Sequence, residues 1–271
     1  MVGTHVPEQL RPFETFSSGD DLQQQRDFLH RYGYLVLKTA LDKNLVLDAR
    51  RAVLQQLKRL WNLIDTGKGA LEQGFINLND PVHPKGRGIL LAGFTDITHL
   101  PEMRRLLEGP ELSSLISNLS GESCSTLRTK WLRVMGINEN TDEHADFYRF
   151  SHFNVAKRML TCWIPLGSYT AHEGTLAICE STHHLISFDE FDEDQSDSKS
   201  ELPSHFDLAS SSCVWRTGDF QAGDLCIFDI RTIHASTKNQ SECFRISVDS
   251  RWQPSSLIPE NLVKGFITFN E

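Results

Sequence analysis

The sequence lacks the features that mark secreted proteins, membrane-spanning proteins and metal-cluster proteins. No apolar run approaches the roughly 18 residues that a membrane-spanning helix requires, and the first residues contain no apolar stretch typical of a signal peptide. Six cysteines are present, but none of them forms a Cys-x-x-Cys pair or another metal-ligand spacing. We therefore expect a soluble, cytoplasmic protein with reduced thiols.

Positive charge is also scarce. Lys and Arg total 27 against 36 Asp and Glu, which gives a net charge of -9. Nucleic acids and anionic membranes bind basic surfaces, so we expect neither as a partner. The hydrophobic fraction of 39% and the charged fraction of 23% are ordinary for a globular protein. A chain of 271 residues can bury a full core, and we expect residues 1–271 to form a single domain.

Residues 20–120 have mainly the pattern of helices. Gly33 is a plausible C-cap of a first helix, and the run YLVL at 34–37 is typical of a short strand. Asp42 is a suitable N-cap for a second helix, whose apolar residues recur at steps of three and four. This stripe comprises Val46, Ala49, Val53, Leu57, Leu60 and Ile64.

Residues 127–253 have the pattern of strands. Short apolar runs such as RMLTCWIPLG, GTLAIC and GDLCIFD are separated by turn signals. Helices followed by many short strands predict a mainly β fold, a sandwich or barrel supported by N-terminal helices. The acidic, serine-rich segment 187–201 is predicted to be a solvated loop.

The segment Glu143-His144-Ala145-Asp146 carries two potential metal ligands. In an extended strand, side chains two residues apart lie on one side, roughly 6.5 Å apart, so His144 and Asp146 can bind one ion. His234 follows the strand LCIFDI and offers a third ligand. Two histidines and one carboxylate form a facial triad that leaves positions on iron open. The same ligands could hold zinc, so these residues alone do not identify the metal.

A candidate anion anchor lies eleven residues after His234. Arg245 belongs to the run CFRISVDSRW, in which polar and apolar residues alternate. A polar face on a buried strand needs partners, and a guanidinium is suited to gripping a carboxylate. Ser236 could add a hydroxyl to the same carboxylate. Arg251 lies roughly 20 Å beyond Arg245 along the strand, and we expect it to pair with Asp249 instead.

The pattern of His-x-Asp, a distal His, Ser two residues later and Arg eleven residues later resembles the phytanoyl-CoA dioxygenase family. The stretch WIPLGSYTAHEGTLAICESTHH at 163–184 resembles the family's strand and hairpin before a closing His. The stretch RDFLHRYGYLVLKTALDKNLV at 26–46 resembles its N-terminal helix, strand and helix. The resemblance runs from about 20 to 253, most of the chain.

This resemblance implies a double-stranded β-helix, or jelly roll, with helices packed on one sheet. It implies Fe(II) bound by the three candidate ligands, and 2-oxoglutarate held by Arg245 and Ser236, with Trp163 lining the co-substrate pocket. Lys130 and Arg133 are candidate substrate contacts. Ascorbate is a candidate reductant.

The implied activity is oxidation of a small molecule, with O₂ and 2-oxoglutarate consumed and succinate and CO₂ released. Hydroxylation is expected, and desaturation or cyclisation stays open. The acidic segment 187–201 favours a free small molecule over a coenzyme A ester, because like charges repel. The alternative is a metal-binding barrel that acts as a sensor without turnover. Such a barrel would keep the three metal ligands but would not need Arg245.

Overall fold

The structure, a computed structural model, describes most of the chain. The acidic segment 187–201 lies outside the described residues, so its predicted loop stays a prediction. None of the helices in the described part is long and apolar enough to cross a membrane. The described residues are 10–79, 89–90, 95–150, 158–186 and 214–269.

Helices dominate the first half of the described chain and strands the second half, as the sequence predicts. The α-helices are α1 (Leu22–Tyr32), α2 (Lys43–Trp61), α3 (Thr95–Thr98), α4 (Pro101–Glu108), α5 (Pro110–Ser120) and α6 (Phe147–Phe150). The strands are β1 (Arg11–Pro12), β2 (Thr15–Ser17), β3 (Tyr34–Lys38), β4 (Ile89–Leu90), β5 (Cys124–Leu127), β6 (Trp131–Met135), β7 (Leu160–Pro165), β8 (Leu176–Cys179), β9 (Trp215–Thr217), β10 (Leu225–Asp229), β11 (His234–Ser236), β12 (Arg245–Pro254) and β13 (Phe266–Ile267).

The two longest early elements begin and end at the residues that the sequence indicates. Gly33 ends α1 in the left-handed conformation with a φ of 79°, which glycine adopts at little cost. The Asp42 side chain accepts a hydrogen bond from the backbone N–H of Asn44 at 2.7 Å, so it caps α2. Asn62, in a left-handed conformation, ends α2.

The apolar stripe of α2 is buried along most of its length. Leu60, in the last turn, is 44% exposed, so this part of the prediction is wrong. Ile64 is buried but lies beyond the end of the helix. The stripe residues that the core covers within the helix are Val46, Ala49, Val53 and Leu57.

Two sheets form the β part of the fold. Nine of the described strands make the larger sheet in the order β13-β5-β12-β7-β10-β3-β2, with β6 beside β12 and β4 beside β6. The smaller sheet has the order β1-β9-β8-β11. The rings of Phe228 on β10 and His234 on β11 are 4.6 Å apart, so the two sheets face each other. The predicted mainly β jelly roll with N-terminal helices is confirmed.

Strand β12 is central to the larger sheet and is buried over all ten residues. It pairs with β7 on one side and with β6 and β5 on the other. Ile246, Val248 and Trp252 join the core that contains the helix residues. Because side chains alternate along a strand, the opposite face points between the two sheets. This face carries Arg245, Ser247, Asp249, Arg251 and Gln253.

Candidate metal centre

The two candidate histidine ligands lie opposite each other on neighbouring backbone segments. His144 and His234 form an antiparallel bridge with two backbone hydrogen bonds of 2.9 Å. Residues directly opposite each other in such a pair project to the same face. The centroids of the two imidazole rings are consequently only 4.2 Å apart.

Asp146 completes the cluster two residues after His144. Its Oδ1 atom lies 3.7 Å from Nε2 of His144 and 4.0 Å from Nε2 of His234. The three potential ligand atoms all lie within 4.8 Å of one another, and all three residues are buried. The structure therefore brings together the three residues that the sequence selects as metal ligands.

Backbone carbonyls set the orientation of both imidazoles. Nδ1 of His144 lies 2.8 Å from the carbonyl oxygen of Asp142, and Nδ1 of His234 lies 3.0 Å from that of Thr232. A carbonyl can only accept, so Nδ1 must carry the proton in each ring. In the neutral ring Nε2 then keeps its lone pair, the form in which histidine binds a metal. Burial lowers the pKa of His234, although Asp146 opposes this effect, so the neutral form is favoured there.

The two oxygens of Asp146 have different surroundings. Oδ2 accepts hydrogen bonds from Thr161 Oγ1 at 2.8 Å and from Arg251 Nη2 at 2.6 Å. Oδ1 is buried and accepts no hydrogen bond from any residue that the structure describes. Burial alone would raise the pKa of this carboxyl, but Arg251, His234 and His144 hold it far below its usual range. An ionised, buried oxygen facing two imidazoles fits a bound cation.

Arg245 is a buried cation that has no ion-pair partner in the described part of the chain. Its side chain is 1% exposed, and no carboxylate of the described residues lies within ion-pair distance of it. Nη1 donates to Ser247 Oγ at 2.6 Å, and no described residue accepts a hydrogen bond from Nε. Burial, and then repulsion by Arg133, lower the pKa of Arg245 to about 10. A guanidinium in this state favours a ligand that carries a carboxylate.

Ser236 and Trp163 lie on the walls that face this interior. Ser236 Oγ accepts a hydrogen bond from the backbone N–H of Thr141 at 2.7 Å, so its own hydroxyl hydrogen can still be donated. Trp163 is buried and lies two residues from Thr161 on the same face of β7. Its ring packs against Phe220 at 4.9 Å between centroids.

The two candidate substrate contacts have different environments. Arg133 is buried and donates from Nε to Asp249 Oδ2 at 2.8 Å, on the polar face between the sheets. Lys130 donates from Nζ to Thr126 Oγ1 at 2.9 Å and to the carbonyl of Leu127. Burial lowers the pKa of Lys130 to about 7. Both of these hydrogen-bond acceptors of the Lys130 ammonium therefore belong to strand β5.

The expected ion pair between Arg251 and Asp249 is present, but Arg251 also makes a shorter ion pair, with Asp146, that the sequence does not predict. Its shortest ion pair joins Nη2 to Oδ2 of Asp146 at 2.6 Å, whereas Nη1 is 3.7 Å from Oδ2 of Asp249. The alternation along β12 indicates that Arg251 points inward, but it does not indicate which carboxylate the opposite wall supplies. Thr161 also donates a hydrogen bond to Asp146, and no pattern in the sequence indicates this contact.

Two histidines and one carboxylate between the sheets of a jelly roll are a ligand set suited to a non-haem metal ion. A model of the phytanoyl-CoA dioxygenase family matches residues 29–247, and the chain belongs to this family. The predicted family is therefore confirmed, together with the class of non-haem iron, 2-oxoglutarate-dependent oxygenases. No curated protein sequence matches the chain.

Solved structures of three enzymes share the fold. The epimerase SnoN, in complex with Fe3+, alpha ketoglutarate and nogalamycin RO, is 17% identical with a TM-score of 0.64, over 86% of this chain and 84% of its own. The carbocyclase SnoK from nogalamycin biosynthesis is 16% identical with a TM-score of 0.61, over 90% and 88%. EctD from S. alaskensis, with 2-oxoglutarate and 5-hydroxyectoine, is 18% identical with a TM-score of 0.61, over 94% and 87%. Such likenesses support the jelly-roll fold.

Proposed function

We propose that this protein is an Fe(II)- and 2-oxoglutarate-dependent dioxygenase that hydroxylates a small molecule. His144, Asp146 and His234 would hold the iron through two imidazole nitrogens and Oδ1 of the carboxylate. Bound iron would supply the redox chemistry that couples O₂ to the decarboxylation of 2-oxoglutarate and the oxidation of a C–H bond. Succinate and CO₂ would be the products of the co-substrate.

The buried Arg245 is the observation that carries this proposal. A guanidinium that is 1% exposed and has no carboxylate partner in the described chain is costly to keep buried. The far carboxylate of 2-oxoglutarate would compensate that charge. Ser236 would donate its hydroxyl hydrogen to the same carboxylate, and Trp163 would form a wall of the co-substrate pocket.

The alternative, a metal-binding barrel without turnover, explains less. It would require the three metal ligands but no anion anchor. A sensor could bury an apolar residue in place of Arg245 at lower cost, because an unpaired buried charge is destabilising. The combination of the cluster with an unpaired buried cation is what supports an enzyme with an anionic co-substrate.

Further parts of the proposal concern the substrate, the chain and the compartment. We propose Arg133, which lies on the polar inner face, as a contact for the substrate. We do not include Lys130 in this proposal, because its Nζ donates hydrogen bonds to atoms of β5. A single domain is supported by one core cluster whose buried members extend from Phe28 to Trp252. A cytoplasmic location is supported by the free thiols of the described cysteines. Ascorbate as a reductant stays a prediction.

The proposal is tested by anaerobic addition of Fe(II) and then 2-oxoglutarate to the purified protein. We expect a visible charge-transfer band that requires both ligands, and succinate production once O₂ is admitted. The His234→Ala variant is the control, because it should give neither signal. If the wild-type protein binds Fe(II) but 2-oxoglutarate gives no band and no succinate, the alternative barrel is correct.

A further inference from the structure

A second buried arginine, Arg251, contacts the carboxylate of Asp146, the proposed metal ligand. Arg251 donates from Nη2 to Oδ2 of Asp146 at 2.6 Å, and Thr161 Oγ1 donates to the same oxygen at 2.8 Å. Resting on the proposed function, we infer that Arg251 is a positioning residue for the metal ligand. It holds Oδ2, so that only Oδ1 is presented to the cation.

The geometry of Arg251 suits this role. The contact is a charge-assisted hydrogen bond between an arginine that is 1% exposed and an aspartate that is fully buried. The ring of Trp131 lies 5.1 Å from the guanidinium carbon and restricts it from another side. The long side chain therefore has little freedom to leave Asp146.

Arg251 belongs to an alternating series of buried charges. Arg133 pairs with Asp249 at 2.8 Å, Asp249 lies 3.7 Å from Arg251, and Arg251 pairs with Asp146 at 2.6 Å. The formal charges of these four groups sum to zero, so Arg251 is already neutralised by neighbouring carboxylates. Arg245, on the same strand face, has no carboxylate of the described ranges at this distance. The two arginines therefore differ in their inferred roles. Arg251 orients a carboxylate of the protein, whereas Arg245 would bind the carboxylate of a ligand.

The expected consequence concerns how Asp146 binds the metal. A carboxylate with both oxygens available can bind a cation through both of them and occupy an additional coordination position. A 2-oxo acid and O₂ together need three such positions on a facial-triad metal. By engaging Oδ2, Arg251 keeps that oxygen away from the cation. Loss of a residue that orients a metal ligand typically weakens metal binding about 10- to 100-fold.

The inference is tested with Co(II) as the probe, because this ion absorbs in the visible region and its band intensity reports coordination number. Wild-type protein, Arg251→Lys and Arg251→Gln are titrated without 2-oxoglutarate. We expect about 10- to 100-fold weaker binding by Arg251→Gln. Arg251→Lys should also bind more weakly and give an altered spectrum, because an ammonium is a point charge without the planar fork.

Controls separate positioning from general destabilisation. Arg216→Gln removes a cation that pairs with Glu180 at 2.5 Å and touches none of the metal ligands, so its Co(II) affinity should match that of wild type. Each variant is checked for folding by circular dichroism, and Arg251→Lys decides the matter if Arg251→Gln does not fold.

Wild-type affinity together with a wild-type Co(II) spectrum for Arg251→Lys would overturn the inference and leave the proposed function intact. If wild-type protein itself binds no Co(II) at a site that Asp146→Ala abolishes, the proposed function fails instead. The two failures are thus distinguishable in one set of titrations.

Discussion

Replacing Arg245 by glutamine should remove the protein's preference for 2-oxoglutarate over a matched ligand. The matched ligand is 2-oxopentanoate, which has the same carbon chain and 2-oxo acid group but lacks the far carboxylate. Arg245 is buried and has no carboxylate partner among the described residues, so that ligand group is its expected counter-ion. The metal ligands are unchanged by the substitution, so binding of the 2-oxo acid group should persist.

The magnitude follows from the burial of the guanidinium. Breaking a buried ion pair by removing one partner costs roughly 3–5 kcal/mol. At about 1.4 kcal/mol per factor of ten, the affinity for 2-oxoglutarate should fall by roughly two to almost four orders of magnitude. The affinity for 2-oxopentanoate should change little, because this ligand offers Arg245 no charge to pair with.

The assay is anaerobic titration of the charge-transfer band of the Fe(II)-loaded protein with each ligand. Arg216→Gln is the control, since it removes an arginine that lies outside the proposed pocket. A wild-type preference for 2-oxoglutarate in Arg245→Gln would refute the reasoning. The anchor would then lie elsewhere, and Arg133 and Arg251 would be the next buried arginines to test, although each already pairs with a carboxylate of the protein.

The remaining predictions concern the metal ligands and a buried lysine. His144→Ala, Asp146→Ala and His234→Ala should each abolish Co(II) binding and succinate production while the protein stays folded, and full turnover by any one would remove that residue from the ligand set. Asp146→Ala should also lower the melting temperature more than the histidine variants, because it leaves Arg251 without its nearest carboxylate. The pKa of Lys130 is lowered by burial from 10.5 to about 7, so between these pH values the unfolded chain binds a proton that the folded chain does not. The free energy of unfolding should therefore rise with pH in this window relative to Lys130→Met, and parallel urea-denaturation results for the two proteins would contradict this.

Local patterns were enough to predict the elements that position the site. The alternation along Arg245–Pro254 identifies the inward polar face because the side-chain period of a strand is two residues. The steps of three and four after Asp42 identify α2 because the helix period is 3.6 residues. The spacing of His144 and Asp146 predicts a chelating pair, although only His144 lies in a β-bridge and Asp146 directly precedes α6. Each of these inferences needs only residues that are close in the sequence.

Contacts between distant segments were the part that local patterns could not supply. Strand β1 is only two residues long and pairs in parallel with β9, which lies far along the chain. Strand β2 is three residues long and pairs in parallel with β3, which follows α1. Leu60 continues the apolar stripe of α2, yet it is exposed, because periodicity does not indicate where the covering elements end. Thr161 on β7 lies opposite Arg251 on β12, and both side chains donate to Asp146, which no local pattern indicates.

The two arginines of β12 illustrate this limit at the site itself. Arg245 and Arg251 share one strand face, one residue type and almost complete burial, so the sequence pattern treats them alike. Their surroundings differ because Asp146, which lies 105 residues before Arg251 in the chain, reaches one guanidinium, whereas the other has no carboxylate partner among the described residues. A buried arginine with a protein carboxylate is suited to orienting that carboxylate, whereas a buried arginine without one is suited to an anionic ligand. The distribution of carboxylates across the interior, rather than the positions of the arginines, is therefore what supports Arg245 and not Arg251 as the proposed anchor of the co-substrate.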